Sequence, residues 1–242
     1  MYPEIDLVYL ILSSYFLLYA LAFFISSSVF WIELKRRKEN FKIFLFIDLV
    51  FLLSGLAGAR IYYILLYGSL KDLLKNPVKS MSSSGTIYHG GFFLSLFIAF
   101  LIIKLTKRNF WILSDSAAPA LAISVSVGRI GCFLNGCCLG RPAHLPWGIR
   151  FHPTQIYESL AMLFIFLFLW RIRRKNYLPG LIFFTYLLLW GGERFLIEFL
   201  RITTLSPFCS LSMAQIVSLV IVILALFNLL RLAKKKARFN SI

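Results

Sequence analysis

Residues 112–141 read ILSDSAAPALAISVSVGRIGCFLNGCCLGR. The stretch 112–134 is apolar over the length of a bilayer crossing. A helix rising ~1.5 Å per residue needs roughly 20 residues to cross a hydrocarbon core ~30 Å thick. Arg129 nevertheless lies within about a turn and a half of its end, counting ~3.6 residues per turn. A guanidinium in hydrocarbon is costly unless paired or hydrated, so an intramembrane arginine is a functional-site hypothesis by default. The segment then turns at Asn135-Gly136, among glycines 128, 131, 136 and 140 that let a backbone approach a ligand closely. A helix end with a tight turn explains the glycines alone. Arg129 and Asn135 flanking that turn favour a head-group site.

The pattern repeats along the chain. Of its 242 residues 60% are hydrophobic, and the mean hydropathy is +0.81. Apolar runs suit spans at roughly 9–31, 43–67, 88–104, 112–134, 154–171, 179–200 and 212–232. The expected fold is therefore all-α: one polytopic domain, 1–242, of seven transmembrane helices. The first run lacks the basic flank of a cleaved signal peptide and reads as a retained helix.

The net charge of +16 could indicate nucleic-acid or lipid binding, but its distribution points to topology. Lys35, Arg36, Arg37, Lys38 and Lys42 form one cluster. Lys104, Lys107 and Arg108 form the next, then Arg171, Arg173, Arg174 and Lys175. Arg231, Lys234, Lys235, Lys236 and Arg238 form the last. These alternate loops hold 17 of the 26 basic residues. By the positive-inside rule they face the cytoplasm, so the N-terminus is outside and the C-terminus inside. No nucleic-acid partner is expected.

That topology puts Arg60, Arg129 and Arg194 in the outer halves of their spans, at one expected depth. Tyr15 shares the level, and His89 stands at the outer entrance of the third span. Arg194, Glu198 and Arg201 fall at i, i+4 and i+7, on one helix face, so Glu198 can pair with either arginine. Asp48 and Asp115 lie near the inner end. Glu158 and Glu193 can reach the outer half. The expected pocket is net positive and suits phosphate, which arginine grips with a planar fork.

Other motifs add to this. His89-Gly90-Gly91 opens on the arginine level, and a neutral imidazole can accept a proton from a thiol or hydroxyl. In His152-Pro153-Thr154-Gln155-Ile156-Tyr157-Glu158, proline at a first helical turn is ordinary punctuation. Glu158 reads equally as a buried ion-pair partner or as a substrate contact. Cys132, Cys137 and Cys138 crowd one turn, and Cys209 lies apart. The spacing is not C-x-x-C and no histidine cluster completes a zinc site. Packing thiols, a disulfide and a redox role all remain open.

At these residues the chain resembles the prolipoprotein diacylglyceryl transferase family, almost end to end. The similarity rests on Tyr15 with Tyr19, Gly58-Ala59-Arg60-Ile61-Tyr62, His89-Gly90-Gly91, Gly128-Arg129-Ile130-Gly131, Asn135-Gly136 with Gly140-Arg141, the His152–Glu158 motif, and Arg194 with Glu198 and Arg201. The resemblance implies a seven-helix bacterial inner-membrane enzyme. Such an enzyme moves a diacylglyceryl group from phosphatidylglycerol to the lipobox cysteine of a prolipoprotein signal peptide and releases glycerol 1-phosphate. It needs no cofactor and no metal. Its partners are phosphatidylglycerol, the prolipoprotein and the surrounding membrane lipids.

The resemblance also implies roles for residues. Arg129 and Arg194 would clamp the lipid phosphate, and His89 would be the general-base candidate, so these three are the expected catalytic group. Tyr15, Arg60, Asn135, Gly140, Glu198 and Arg201 would bind or shape the substrate site. The chain departs from the family in its signature loop. Cys132 replaces an asparagine and Cys137 a glutamate of well-known members, and the segment between Pro142 and His152 is short. A paralogous transferase with another acceptor or lipid, a lipid or anion transporter, and a thiol-redox membrane protein are the alternatives.

Overall fold

The computed structural model describes residues 4–7, 10–38, 40–67, 88–106, 109–143, 150–174, 178–202 and 210–240. Among them are seven α-helices. They are α1 (Ser14–Arg36), α2 (Phe41–Tyr67), α3 (Tyr88–Thr106), α4 (Phe110–Leu134), α5 (Thr154–Ile172), α6 (Leu181–Ile197) and α7 (Met213–Asn240). Each coincides with one expected span. Five contain stretches long and apolar enough to cross a membrane: Ser14–Arg36, Phe44–Leu65, Phe110–Leu134, Thr154–Ile172 and Met213–Ala237. The protein is therefore helical and membrane-embedded.

The first span differs from expectation. Glu4–Leu7 (β1) and Leu10–Ser13 (β2) form an antiparallel hairpin with Glu4 opposite Ser13, so helix begins at Ser14 rather than near residue 9. The run from Leu10 to Ser13 is apolar enough to continue a span. Hydropathy does not separate strand from helix over so few residues.

Large apolar side chains lie on the outside of the helices. Phe16, Phe24, Phe164 and Leu196 are all about two-thirds exposed. A lipid environment accounts for that surface. The chain divides into two compact units, one of Met1–Glu33 with Trp111–Ile242, the other Leu34–Phe110. In the second unit α2 packs against α3, and Ser54 Oγ donates to Ser95 Oγ at 3.2 Å.

The core of the first unit joins three helices. Ala118 and Ala122 of α4 meet Met162, Ile165 and Leu169 of α5 and Ile182 and Tyr186 of α6. Small residues on α4 allow the close approach, the usual solution where lipid removes the hydrophobic drive between helices. Asp115 is buried on α4 and caps the next helix but one. It accepts the Gly180 N–H at 2.8 Å and the Phe183 N–H at 2.9 Å, at the start of α6. Those amides lack intrahelical partners, and a carboxylate there also meets the positive end of the helix dipole.

Arg173, one of the basic cluster that follows α5, is buried. Its guanidinium pairs with buried Glu33 of α1 and stacks over the Trp170 ring at 3.2 Å. Removing one partner of such a pair strands the other charge. Glu33→Ala is expected to lower unfolding stability by about 3–5 kcal/mol. The double variant Glu33→Leu with Arg173→Met should recover most of that loss in thermal unfolding of detergent-solubilised protein.

Candidate functional site

The site starts from a polar crossing between α4 and α5. Ser126 Oγ donates to the Ser159 carbonyl, and Ser159 Oγ donates back to the Ser126 carbonyl, both at 2.8 Å. Hydroxyl pairs of this kind join helices where water is absent. The exchange fixes register. Arg129 is three residues beyond Ser126, and Glu158 immediately precedes Ser159. Arg129 Nε therefore sits 2.6 Å from Glu158 Oε2.

The end of α6 supplies the remaining charges. Arg194 donates through NH1 to Glu158 Oε1 at 3.1 Å, and its NH2 is 2.9 Å from Glu198 Oε2. A 3-10 turn, Glu198–Leu200, then carries the chain round to Arg201. Arg201 approaches Glu158 at 3.8 Å and Glu198 at 3.9 Å. Glu198 is steadied from below by Ser212 Oγ, which donates to its Oε1 at 3.0 Å. Ser212 and Gln215 also form a reciprocal capping box at the start of α7, through 2.9 Å and 3.2 Å bonds.

Burial is uneven across this cluster. The side chains of Glu158 and Glu198 are 3% exposed, whereas Arg129 is 24% and Arg194 and Arg201 are each 19% exposed. The carboxylates lie behind and the guanidiniums in front. A guanidinium has five N–H donors, and the described contacts of Arg129 run through Nε alone. Its two terminal nitrogens can therefore serve an anion. Glu193 stands nearby with a buried Oε1 that has no hydrogen-bond partner among the described residues.

The loop after α4 is built by a helix-ending motif. Gly136, at φ 74°, takes the left-handed position. Its N–H bonds the Phe133 carbonyl at 3.1 Å, and the Cys137 N–H bonds the Cys132 carbonyl at 3.2 Å. These two bonds define a Schellman ending, which brings the first and last residues of the motif side by side. Those residues are Cys132 and Cys137. Cys138 follows in the left-handed region at φ 62°, so its thiol turns back towards them. The Cys138 thiol is drawn down to about 5, chiefly by a hydrogen bond with Cys132. The Cys137 thiol and the Arg201 and Arg129 charges pull the same way, against burial.

The first turn of α5 pins this loop. Thr154 Oγ1 donates to the Cys138 carbonyl at 2.9 Å, and Gln155 Nε2 donates to the Cys137 carbonyl. Gly140 then crosses the start of α5 and the end of the 3-10 turn. Its N–H bonds the His152 carbonyl at 2.9 Å, and it pairs with Arg201 as an antiparallel bridge. A Cβ here would lie 2.6 Å from the Leu200 carbonyl oxygen and 2.7 Å from both His152 and Thr154. Only glycine fits.

The structure thus brings together Arg129, Arg194, Glu198, Arg201 and Gly140. Asn135 lies exposed at the helix end before Gly136. The Tyr15 and Tyr19 rings pack at 4.4 Å between centroids, tilted by 37°, and the Tyr19 hydroxyl lies 3.7 Å from Cys132 Sγ. Arg60 belongs to the other compact unit, where it is buried with its guanidinium 5.2 Å from the Tyr63 ring centroid. His89 lies in the first turn of α3, and its side chain is outside the described residues. Glu158 is a buried ion-pair partner and the hub of three arginines. Tyr19 and Ser126 were not singled out as candidates for the site. The Tyr15–Tyr19 spacing of one helical turn was the available signal.

A family model described as prolipoprotein diacylglyceryl transferase matches residues 5–231. A phosphatidylglycerol–prolipoprotein diacylglyceryl transferase of Clostridium tetani is 31% identical over 208 residues, covering 80% of this chain and 82% of the relative. Proteins of the same description from Clostridioides difficile and Clostridium botulinum are 32% and 28% identical. The first covers 75% of each chain, the second 85% of this chain and 86% of the relative.

Two substitutions probe how the site is held. Glu158→Ala leaves three guanidiniums facing one another and should cost about 3 kcal/mol or more of stability. Gly140→Ala should lower the thermal midpoint by displacing the Arg201 segment. Both are read by thermal unfolding in detergent, with Glu158→Gln as the isosteric comparison.

Proposed function

The chain belongs to the prolipoprotein diacylglyceryl transferase family, and from that membership we infer that it transfers a diacylglyceryl group from phosphatidylglycerol to a prolipoprotein cysteine. The observation that carries the site assignment is the layered cluster of Arg129, Arg194 and Arg201 in front of Glu158 and Glu198. The acceptor is the lipobox cysteine of the signal peptide. The site works from the outer leaflet of the bacterial inner membrane, with the N-terminus outside, the C-terminus in the cytoplasm and seven crossings in one domain. The basic loops support that orientation.

The chemistry follows from the charges. The acceptor sulfur attacks the glycerol carbon that bears the phosphate. A C–S bond forms as the C–O bond breaks, and the bonding pair leaves with the phosphate oxygen as glycerol 1-phosphate. Negative charge grows on that oxygen, where preorganised guanidiniums stabilise the transition state more than the ground state. Arg129 and Arg194 are the clamps, and Arg201 reinforces them across Glu158. The thiol proton passes to a base, for which His89 is the candidate. Tyr15, Asn135 and Gly140 shape the lipid site, and the family resemblance assigns Arg60 a part in binding the lipid.

The test is transfer in vitro. Detergent-solubilised protein is mixed with phosphatidylglycerol and a lipobox peptide bearing one cysteine, and the peptide mass is followed. The expected result is a gain of one diacylglyceryl group. The rate should fall about a hundredfold in Arg129→Ala and Arg194→Ala, and by about as much in His89→Gln, with thermal midpoints still measurable. Unchanged rates in all three variants would remove the site assignment. Phosphatidylglycerol flux into proteoliposomes without transfer would favour a transporter.

A further inference from the structure

We propose that Cys132, Cys137 and Cys138 form a binding site for one soft, thiophilic metal ion, with Cu(I) the ion that fits best. The three sulfurs all lie within 4.8 Å of one another. Three thiolates around a metal at about 2.3 Å in a trigonal plane stand roughly 4 Å apart, so the observed grouping needs little adjustment. All three are free thiols.

The grouping is built by the backbone. The Schellman ending of α4 sets Cys137 beside Cys132, and the Cys137 thiol already reaches back to the Cys132 carbonyl at 3.5 Å. Cys138 holds a left-handed conformation that costs a non-glycine residue about 1 kcal/mol or more. That strain turns the third sulfur towards the other two. Thr154 and Gln155 hold the two loop carbonyls and keep the turn closed. Such preorganisation is what a metal site requires and what three unrelated packing thiols would lack.

The donor set selects the ion. Soft thiolates favour Cu(I) and Zn(II) over hard cations. No histidine or carboxylate joins the three sulfurs among the described residues. Zn(II), which takes four ligands in closed sites, would need a solvent molecule as its fourth, whereas Cu(I) is complete with three. Cys132 is buried and Cys138 exposed, so one side of the cluster is reachable from outside while the other is sheltered. Binding forms three S–metal bonds and displaces to solvent the protons that the sulfurs still carry, with no change of oxidation state. The resulting anionic cluster has cationic neighbours. Arg129 is nearly one turn before Cys132 on α4, and Arg201 pairs with Gly140 two residues after Cys138.

The experiment uses the full chain, reduced and in detergent under anaerobic conditions, titrated with Cu(I) against a chromogenic Cu(I) chelator. One Cu(I) per chain is expected, with a trigonal sulfur shell in X-ray absorption. Cys132→Ser, Cys137→Ser and Cys138→Ser should each weaken binding at least tenfold. Cys209→Ser should leave it unchanged. Far-ultraviolet circular dichroism shows whether each variant is folded. A misfolded single variant is replaced by the matching alanine variant, and the wild-type stoichiometry and sulfur shell stand as independent readouts. Copper retention no greater than in the triple serine variant would overturn the site, as would binding lost with Cys209. A loss of 2 Da on intact-protein mass spectrometry, with no copper bound, would instead identify a redox-active thiol pair.

Discussion

The Glu158 carboxylate is the constraint on which the site depends. It lies at the start of α5, almost wholly buried, and meets Arg129 from α4, Arg194 from α6 and Arg201 from the turn beyond. Guanidiniums gathered at this spacing repel one another strongly in a low-dielectric interior. A buried carboxylate alone would be equally costly. Each side makes the other tolerable, and three helices are tied at one point. Glu198 closes the arrangement from the α6 side, and Ser212 holds Glu198. The cationic surface is therefore a property of the packing and not of any one arginine.

That packing is set a turn away from the chemistry. The Ser126–Ser159 exchange fixes how far α4 slides along α5. A slip of one residue would rotate Arg129 by about 100° around its helix, at 3.6 residues per turn, and away from Glu158. Asp115 does the same service at the other end of α4, holding the first amides of α6 and so the direction in which Arg194 arrives. Small polar residues along α4 thus serve the site without touching it.

Much of this was legible in the sequence because membrane helices announce themselves by length and hydropathy. Each of the seven helices overlaps one expected span, but the first begins after a β-hairpin at Ser14 and ends five residues late at Arg36, and the last runs eight residues past residue 232 to Asn240. Helical spacing offered Glu198 to Arg194 or Arg201, and the structure places it 2.9 Å from the first and 3.9 Å from the second. The role of Glu158 was not offered by spacing, because a contact between α4, α5 and α6 has no signature in local periodicity. The burial of Arg173 was missed for the same reason: its partner Glu33 is 140 residues away. The crowding of Cys132, Cys137 and Cys138 was legible in the sequence, but not the convergence of their sulfurs, which the Schellman turn and the left-handed Cys138 produce at separations of five residues and one.

The charge count of the cluster bears on its ligand. Three guanidiniums joined by ion pairs to Glu158 and Glu198 leave one positive charge among these five groups, with the Glu193 carboxyl beside them. A phosphodiester brings one negative charge, so a lipid such as phosphatidylglycerol suits a site that is neither empty of charge nor strongly repelled by its own arginines. On cleavage the departing phosphate monoester gains further negative charge. In the reaction proposed above, arginines fixed by Glu158 and Glu198 would meet it without reorganising. The buried glutamates thus set the net charge of the cluster as well as its shape.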